Sequence, residues 1–172
     1  QWALLGVVAM IAMMRVDYRY LRLASLPFLA ISIALLGLVF VDQFNIVVGG
    51  SARWLKLPGL PAIHPAEIAK LALVIYLAHW FAKRGTKIRG FWGGTVPFLI
   101  ILAPICLLVF KEPDLGTTTV ITLTGFLMFF VAGANLVHLG TLLSGAFMAA
   151  IFIGLRGYQM DRIRTWLDPW SD

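Results

Sequence analysis

Charged residues are scarce in this chain: only 13% of its 172 residues are Asp, Glu, Lys or Arg, against 60% that are hydrophobic. Soluble domains carry about 25% charged residues. The composition therefore excludes an ordinary soluble fold and matches a polytopic membrane protein. Acids are fewer than bases, 8 against 14, leaving a net charge of +6. The bases stand in short clusters between apolar runs rather than in one patch, so no nucleic acid is expected as partner and basic membrane loops are. Cysteine occurs once, at Cys106 inside an apolar run; no internal disulfide can form, and a small packing role is expected. His64, His79 and His138 are too scattered for metal-ligand spacing. The chain contains no phosphate-binding loop, dinucleotide fingerprint or nucleophile elbow. The sequence implies no cofactor and leaves a divalent-cation requirement open.

Apolar runs recur at about 1–14, 24–41, 66–82, 91–110, 115–132 and 138–155. A span takes about 20 apolar residues, so the pattern predicts an all-α membrane bundle of six transmembrane helices, with the first cut short at its outer end. Residues 1–172 are expected to form a single integral-membrane domain, truncated at both ends. No basic stretch precedes the first run, unlike a signal peptide. The loops 15–22 and 83–90 are dense in Arg and Lys. With alternating crossings they fall on one side together with 133–137, and the positive-inside rule makes that side cytoplasmic. The segments 42–64, 111–114 and 156–172 then share the outer side.

The outer segments carry the unusual charges. His64-Pro65-Ala66-Glu67-Ile68-Ala69-Lys70 opens an apolar run. Pro65 suits the first helical turn, where its missing N–H costs nothing, and Glu67 suits the positive helix end. Lys70 lies three residues on, on the same face. Either it pairs with Glu67 and reaches up to water, or it serves a polar pocket with a further partner, for which Asp114 in Glu112-Pro113-Asp114-Leu115-Gly116-Thr117 stands at the next helix start. Arg53 and Trp54 follow Gly49-Gly50-Ser51-Ala52 and precede Leu57-Pro58-Gly59-Leu60-Pro61. They read equally well as an interfacial anchor or as part of a ligand site. The threonines 117, 118, 119, 122 and 124 are expected to bond backbone or neighbouring helices.

These motifs, in this order, together with the closing Trp166-Leu167-Asp168-Pro169-Trp170-Ser171-Asp172, resemble the SEDS proteins, FtsW and RodA. Gly133-Ala134-Asn135 and Asp168-Pro169-Trp170 lean toward the division-associated FtsW branch. The resemblance implies a ten-helix, multi-pass protein of the bacterial inner membrane, of which this chain would cover the second to seventh helices. It further implies a peptidoglycan glycosyltransferase that polymerises lipid II and works with a class B penicillin-binding protein among membrane lipids. Two departures stand out: Ala52 replaces a second arginine, and Glu112 stands where the family often has Gln. The general-base aspartate implied by the resemblance falls beyond Asp172, so the catalytic residue is unknown here.

Glycan polymerisation needs a base for the attacking hydroxyl and positive charge for the departing lipid pyrophosphate. Arg53 and Lys70 are the candidate cations, with Trp54, Glu67 and Asp114 binding substrate or supporting the pocket. A flippase for a lipid-linked precursor would want similar charges, and a non-catalytic scaffold for a cell-wall synthase would use the bundle for docking.

Overall fold

The computed structural model describes residues 2–41, 43–48, 51–56 and 61–154. Six α-helices follow in order: α1 Trp2–Arg15, α2 Tyr18–Leu38, α3 Pro65–Arg84, α4 Val96–Lys111, α5 Leu115–Val131 and α6 Leu136–Gly154. Between α2 and α3 lies a two-stranded antiparallel hairpin, β1 Asn45–Val48 and β2 Ser51–Leu55. The protein is an all-α polytopic membrane protein with this small β-insertion. Tyr18–Leu38, Pro65–Arg89 and Phe91–Lys111 are each long and apolar enough to cross a membrane, and Leu115–Val131 and Leu136–Ala149 are shorter apolar helices.

The number of α-helices among the described residues matches the sequence reading, but three connectors differ from it. The basic, aromatic stretch 15–22 was expected as a loop. Instead α2 starts at Tyr18, because Asp17 caps it by accepting a hydrogen bond from the Arg19 amide at 2.9 Å. The second basic stretch winds into a 3₁₀ turn, Gly85–Arg89, followed by a π turn, Phe91–Thr95, that leads directly into α4. Gly94 is required there, since a Cβ would overlap the Ile88 carbonyl oxygen. The segment 42–64, expected as an outer connector, holds the hairpin; Leu55 also bridges to Ile63, exchanging bonds of 2.8 and 2.9 Å.

The helix α3 is the hub, packed on α2, α4, α5 and β2. Its buried Ala66, Ala69 and Ala72 recur every three residues and make a small-residue stripe along this hub helix. On α2, buried Ser25 and Ser32 donate to carbonyls of their own helix at 2.8 Å. Farther along, Phe81, Phe98, Phe126 and Phe129 fill the space between α3, α4 and α5, with Phe98 and Phe129 stacked at 4.4 Å between ring centroids. Thr118, Thr119 and Thr122 donate to carbonyls four residues back at 2.7–2.8 Å, as expected for hydroxyls in an apolar helix. Cys106 packs at 3.3 Å from the Thr122 hydroxyl.

The loops sort to two ends of the bundle. Hairpin and α4–α5 turn meet at one end through Arg53, while the turn 91–95 meets the start of α6 at the other through Thr95 Oγ1 and His138 Nδ1, 3.2 Å apart. His138 is therefore a structural tie there, with Phe91 edge-on to its ring.

Candidate functional site

The polar end of the bundle is built from three short pieces: strand β2, the entry to α3 and the α4–α5 turn. Arg53 is the unpaired residue of a bulge in β2, between Ala52 opposite Val47 and Trp54 opposite Ile46, and a bulge bends the strand and re-aims the side chain. From there the Arg53 guanidinium reaches the α4–α5 turn. Its Nε donates to the Glu112 carbonyl at 3.1 Å and its Nη2 to the Pro113 carbonyl at 2.6 Å. Both groups are carbonyls at the end of α4, which lack helical partners and attract a cation. Arg53 thus clamps the hairpin to the turn through one edge of its fork.

Asp114 caps α5. Its Oδ1 accepts the Thr117 amide at 3.1 Å, and its Oδ2 accepts the Thr117 hydroxyl at 2.7 Å. Burial alone would raise this carboxyl, but the two Thr117 bonds, with Arg53 and His64 close by, hold it below the usual range. Asp114 is an anion here. His64, the residue before Pro65, lies with Nε2 3.8 Å from Asp114 Oδ2 and edge-on to Trp54 at 5.3 Å between ring centroids. Trp54, His64 and Asp114 therefore form one chain of contacts linking hairpin, α3 and α5.

Pro65 opens α3 as expected, with Glu67 in its first turn. Lys70, however, bonds Glu67 rather than Asp114: its Nζ lies 2.9 Å from Oε1 and 2.8 Å from Oε2. No ion pair joins Lys70 to Asp114 among the described residues, because the position across from Asp114 is taken by His64. The side chains of Lys70 and Glu67 are 31% and 58% exposed, so this is a partly hydrated surface pair. Its ammonium has one N–H donor left over for another anion.

One residue was not singled out as a candidate from sequence. Glu112 is 1% exposed, and neither carboxylate oxygen has a hydrogen-bond partner among the described residues. Burial, with the Asp114 carboxylate beside it, pushes its pKa up to about 7, partly offset by Arg53. His64 Nδ1 is likewise buried with no hydrogen-bond partner among the described residues. Both residues belong to the charged helix-start motifs, but only folding buries the Glu112 carboxylate and the His64 Nδ1 atom. Among the described residues no three His, Cys, Asp or Glu side chains converge where a metal ion could sit. The closing motif, 166–172, and Gly49, Gly50 and 57–60 lie outside the described residues.

The chain that builds this polar end matches a family model over residues 1–172, described as cell cycle protein, FtsW/RodA/SpoVE. The chain belongs to that family. It is 33% identical over 172 residues to the probable peptidoglycan glycosyltransferase FtsW of Geobacter sulfurreducens, covering 99% of this chain and 46% of that protein. It is 37% identical over 171 residues to the stage V sporulation protein E of Bacillus subtilis, covering 98% and 46%. The chain thus spans about half the length of these FtsW/RodA/SpoVE relatives. Among solved structures, the rod shape determining protein RodA of Thermus thermophilus superposes with a TM-score of 0.69 at 28% identity, over 86% of this chain and 46% of that one. A chain from work described as structural coordination of polymerization and crosslinking by a peptidoglycan synthase complex superposes with a TM-score of 0.74 at 29% identity, over 98% and 49%.

Proposed function

We propose that this chain forms part of a peptidoglycan glycosyltransferase that polymerises lipid II into glycan strands in the bacterial inner membrane, for division or wall growth. The observation that carries the reading is the gathering of Arg53, Trp54, His64 and Asp114 at one end of the bundle, with Lys70 nearby on the first turns of α3. Arg53 Nη1 and the Lys70 ammonium supply the positive charge that a departing pyrophosphate needs, while Asp114 and Glu67 hold the pocket in place. The names of the FtsW relatives support the same chemistry. The acceptor's proton goes to a base supplied by a segment after Asp172, and residues 1–172 make one integral-membrane domain of a ten-helix protein. The partner is a class B penicillin-binding protein, a finer statement of the synthase complex named for one structural relative.

The site faces outward, since the basic turns lie at the opposite end. In a cysteine-free background, Lys56→Cys should label only from the outside and Lys87→Cys only from the cytoplasm; labelling of both from one side overturns the orientation. For the activity, the purified full-length protein is incubated with lipid II and its partner synthase and the products are resolved by gel. Polymer is expected. Head-group translocation without polymer would make the protein a flippase, and binding with neither would make it a scaffold.

A further inference from the structure

A cavity of about 900 Å³ opens between the first turns of α2 and the last turns of α3, at the end of the bundle away from Arg53. Arg19, Arg22 and Lys83 line it, and no Asp or Glu does. The side chains of Arg22 and Lys83 make no ion pair or hydrogen bond among the described residues, and Arg19 has only Asp17, 3.9 Å away with both side chains well exposed. The next cation on α3 is different: Arg84 donates to the Gly93 carbonyl at 3.3 Å and lies over the Trp80 ring. Like charges gathered without acids repel one another, and an anion between them removes that cost.

The depth of the cavity identifies the anion. Lys83 to Tyr76 is seven residues of α3, about 10 Å at 1.5 Å per residue. The polar layer of one leaflet is about 5–8 Å thick, so the cavity crosses it and ends at the acyl boundary. Cations line the mouth, Trp80 and Tyr76 stand at the level that interfacial aromatics favour, and Leu23 and Leu26 line the wall beyond. A free phosphate would fill only the mouth.

We propose that this cavity binds the phosphate headgroup of an anionic phospholipid in the cytoplasmic leaflet, with Arg22 and Lys83 on the phosphate and Leu23 and Leu26 against the first acyl carbons. The inference is independent of the glycosyltransferase reading, because it concerns the other end of the molecule. The test uses full-length protein in detergent with phosphatidylglycerol or phosphatidylcholine added, and native mass spectrometry to count retained lipid. Phosphatidylglycerol should be retained over phosphatidylcholine. Each neutralised cation should weaken its binding about fivefold and Arg22→Gln with Lys83→Gln about 25-fold. Arg22→Lys with Lys83→Arg, which keeps both charges, should retain it. Should the double neutralisation fail to fold, Lys83→Gln alone still reads the fivefold loss. Equal retention of both lipids, undiminished binding by the neutralised variants, or full displacement by equimolar inorganic phosphate overturns the proposal. So does a crosslink from Arg22→Cys to another segment of the full chain that persists under excess phosphatidylglycerol, because that segment would then fill the cavity.

Discussion

Glu112 offers the sharpest test of the site's electrostatics. Its carboxyl lies almost wholly out of contact with solvent and has no hydrogen-bond partner among the described residues, with its pKa pushed up to about 7 from 4.5. The folded protein therefore keeps a proton that the unfolded chain releases above pH 4.5. Ionisation costs nothing at low pH, the cost grows as pH rises from 4.5 to about 7, and it is fully present above that. At about 1.4 kcal/mol for each pH unit between the two values, the cost at pH 8 is about 3 kcal/mol. Glu112→Gln removes the ionisable group and keeps the shape. It should stabilise the full-length protein by about 2–3 kcal/mol at pH 8 and by much less at pH 5. Thermal unfolding in detergent, followed by tryptophan fluorescence, reads this as a gain in Tm that is larger at pH 8 than at pH 5. An equal gain at both pH values would show that the carboxyl is not shifted upward, and a loss at pH 8 that the carboxylate is ionised and held by a partner; either would refute the reasoning.

Two further predictions concern the neighbouring charges. Arg53→Lys gives up the planar fork that joins β2 to the Glu112 and Pro113 carbonyls, so stability should fall by about 1.5–3 kcal/mol in chemical or thermal denaturation, and lipid II turnover per folded molecule should fall as well; full turnover per folded molecule would reduce Arg53 to an anchor. Lys70→Ala removes a partly exposed pair and should cost about 1 kcal/mol or less, whereas Asp114→Ala removes a helix cap and should cost about 1–2 kcal/mol. The two losses should add within about 0.5 kcal/mol in a double-mutant cycle, and a Lys70–Asp114 coupling above about 1 kcal/mol would contradict the arrangement found.

The amino-acid sequence determined the fold class and the approximate course of the six helices among the described residues, because an apolar helix declares itself through local composition. Apolar runs, helix-opening Pro65 and capping Asp114 are properties of neighbouring residues, and they needed no tertiary information. The hairpin was also legible: Asn45-Ile46-Val47-Val48 and Ser51-Ala52-Arg53-Trp54-Leu55 flank two glycines, a strong turn signal that the apolar pattern overshadowed. The start of α2 is not legible from charge density, because an interfacial helix turn tolerates arginine and tyrosine as well as a loop does. Only the tertiary structure decided the pairing. Lys70 and Asp114 both stand at helix starts, yet the lateral packing of α3 and α5 brings His64, not Lys70, against Asp114. Likewise Arg53, a free cation in sequence, spends most of its fork on two backbone carbonyls 59 and 60 residues away. Such contacts depend on where rigid helices cross. Local composition does not encode the crossing, and so the same charges in sequence could have been joined in several ways.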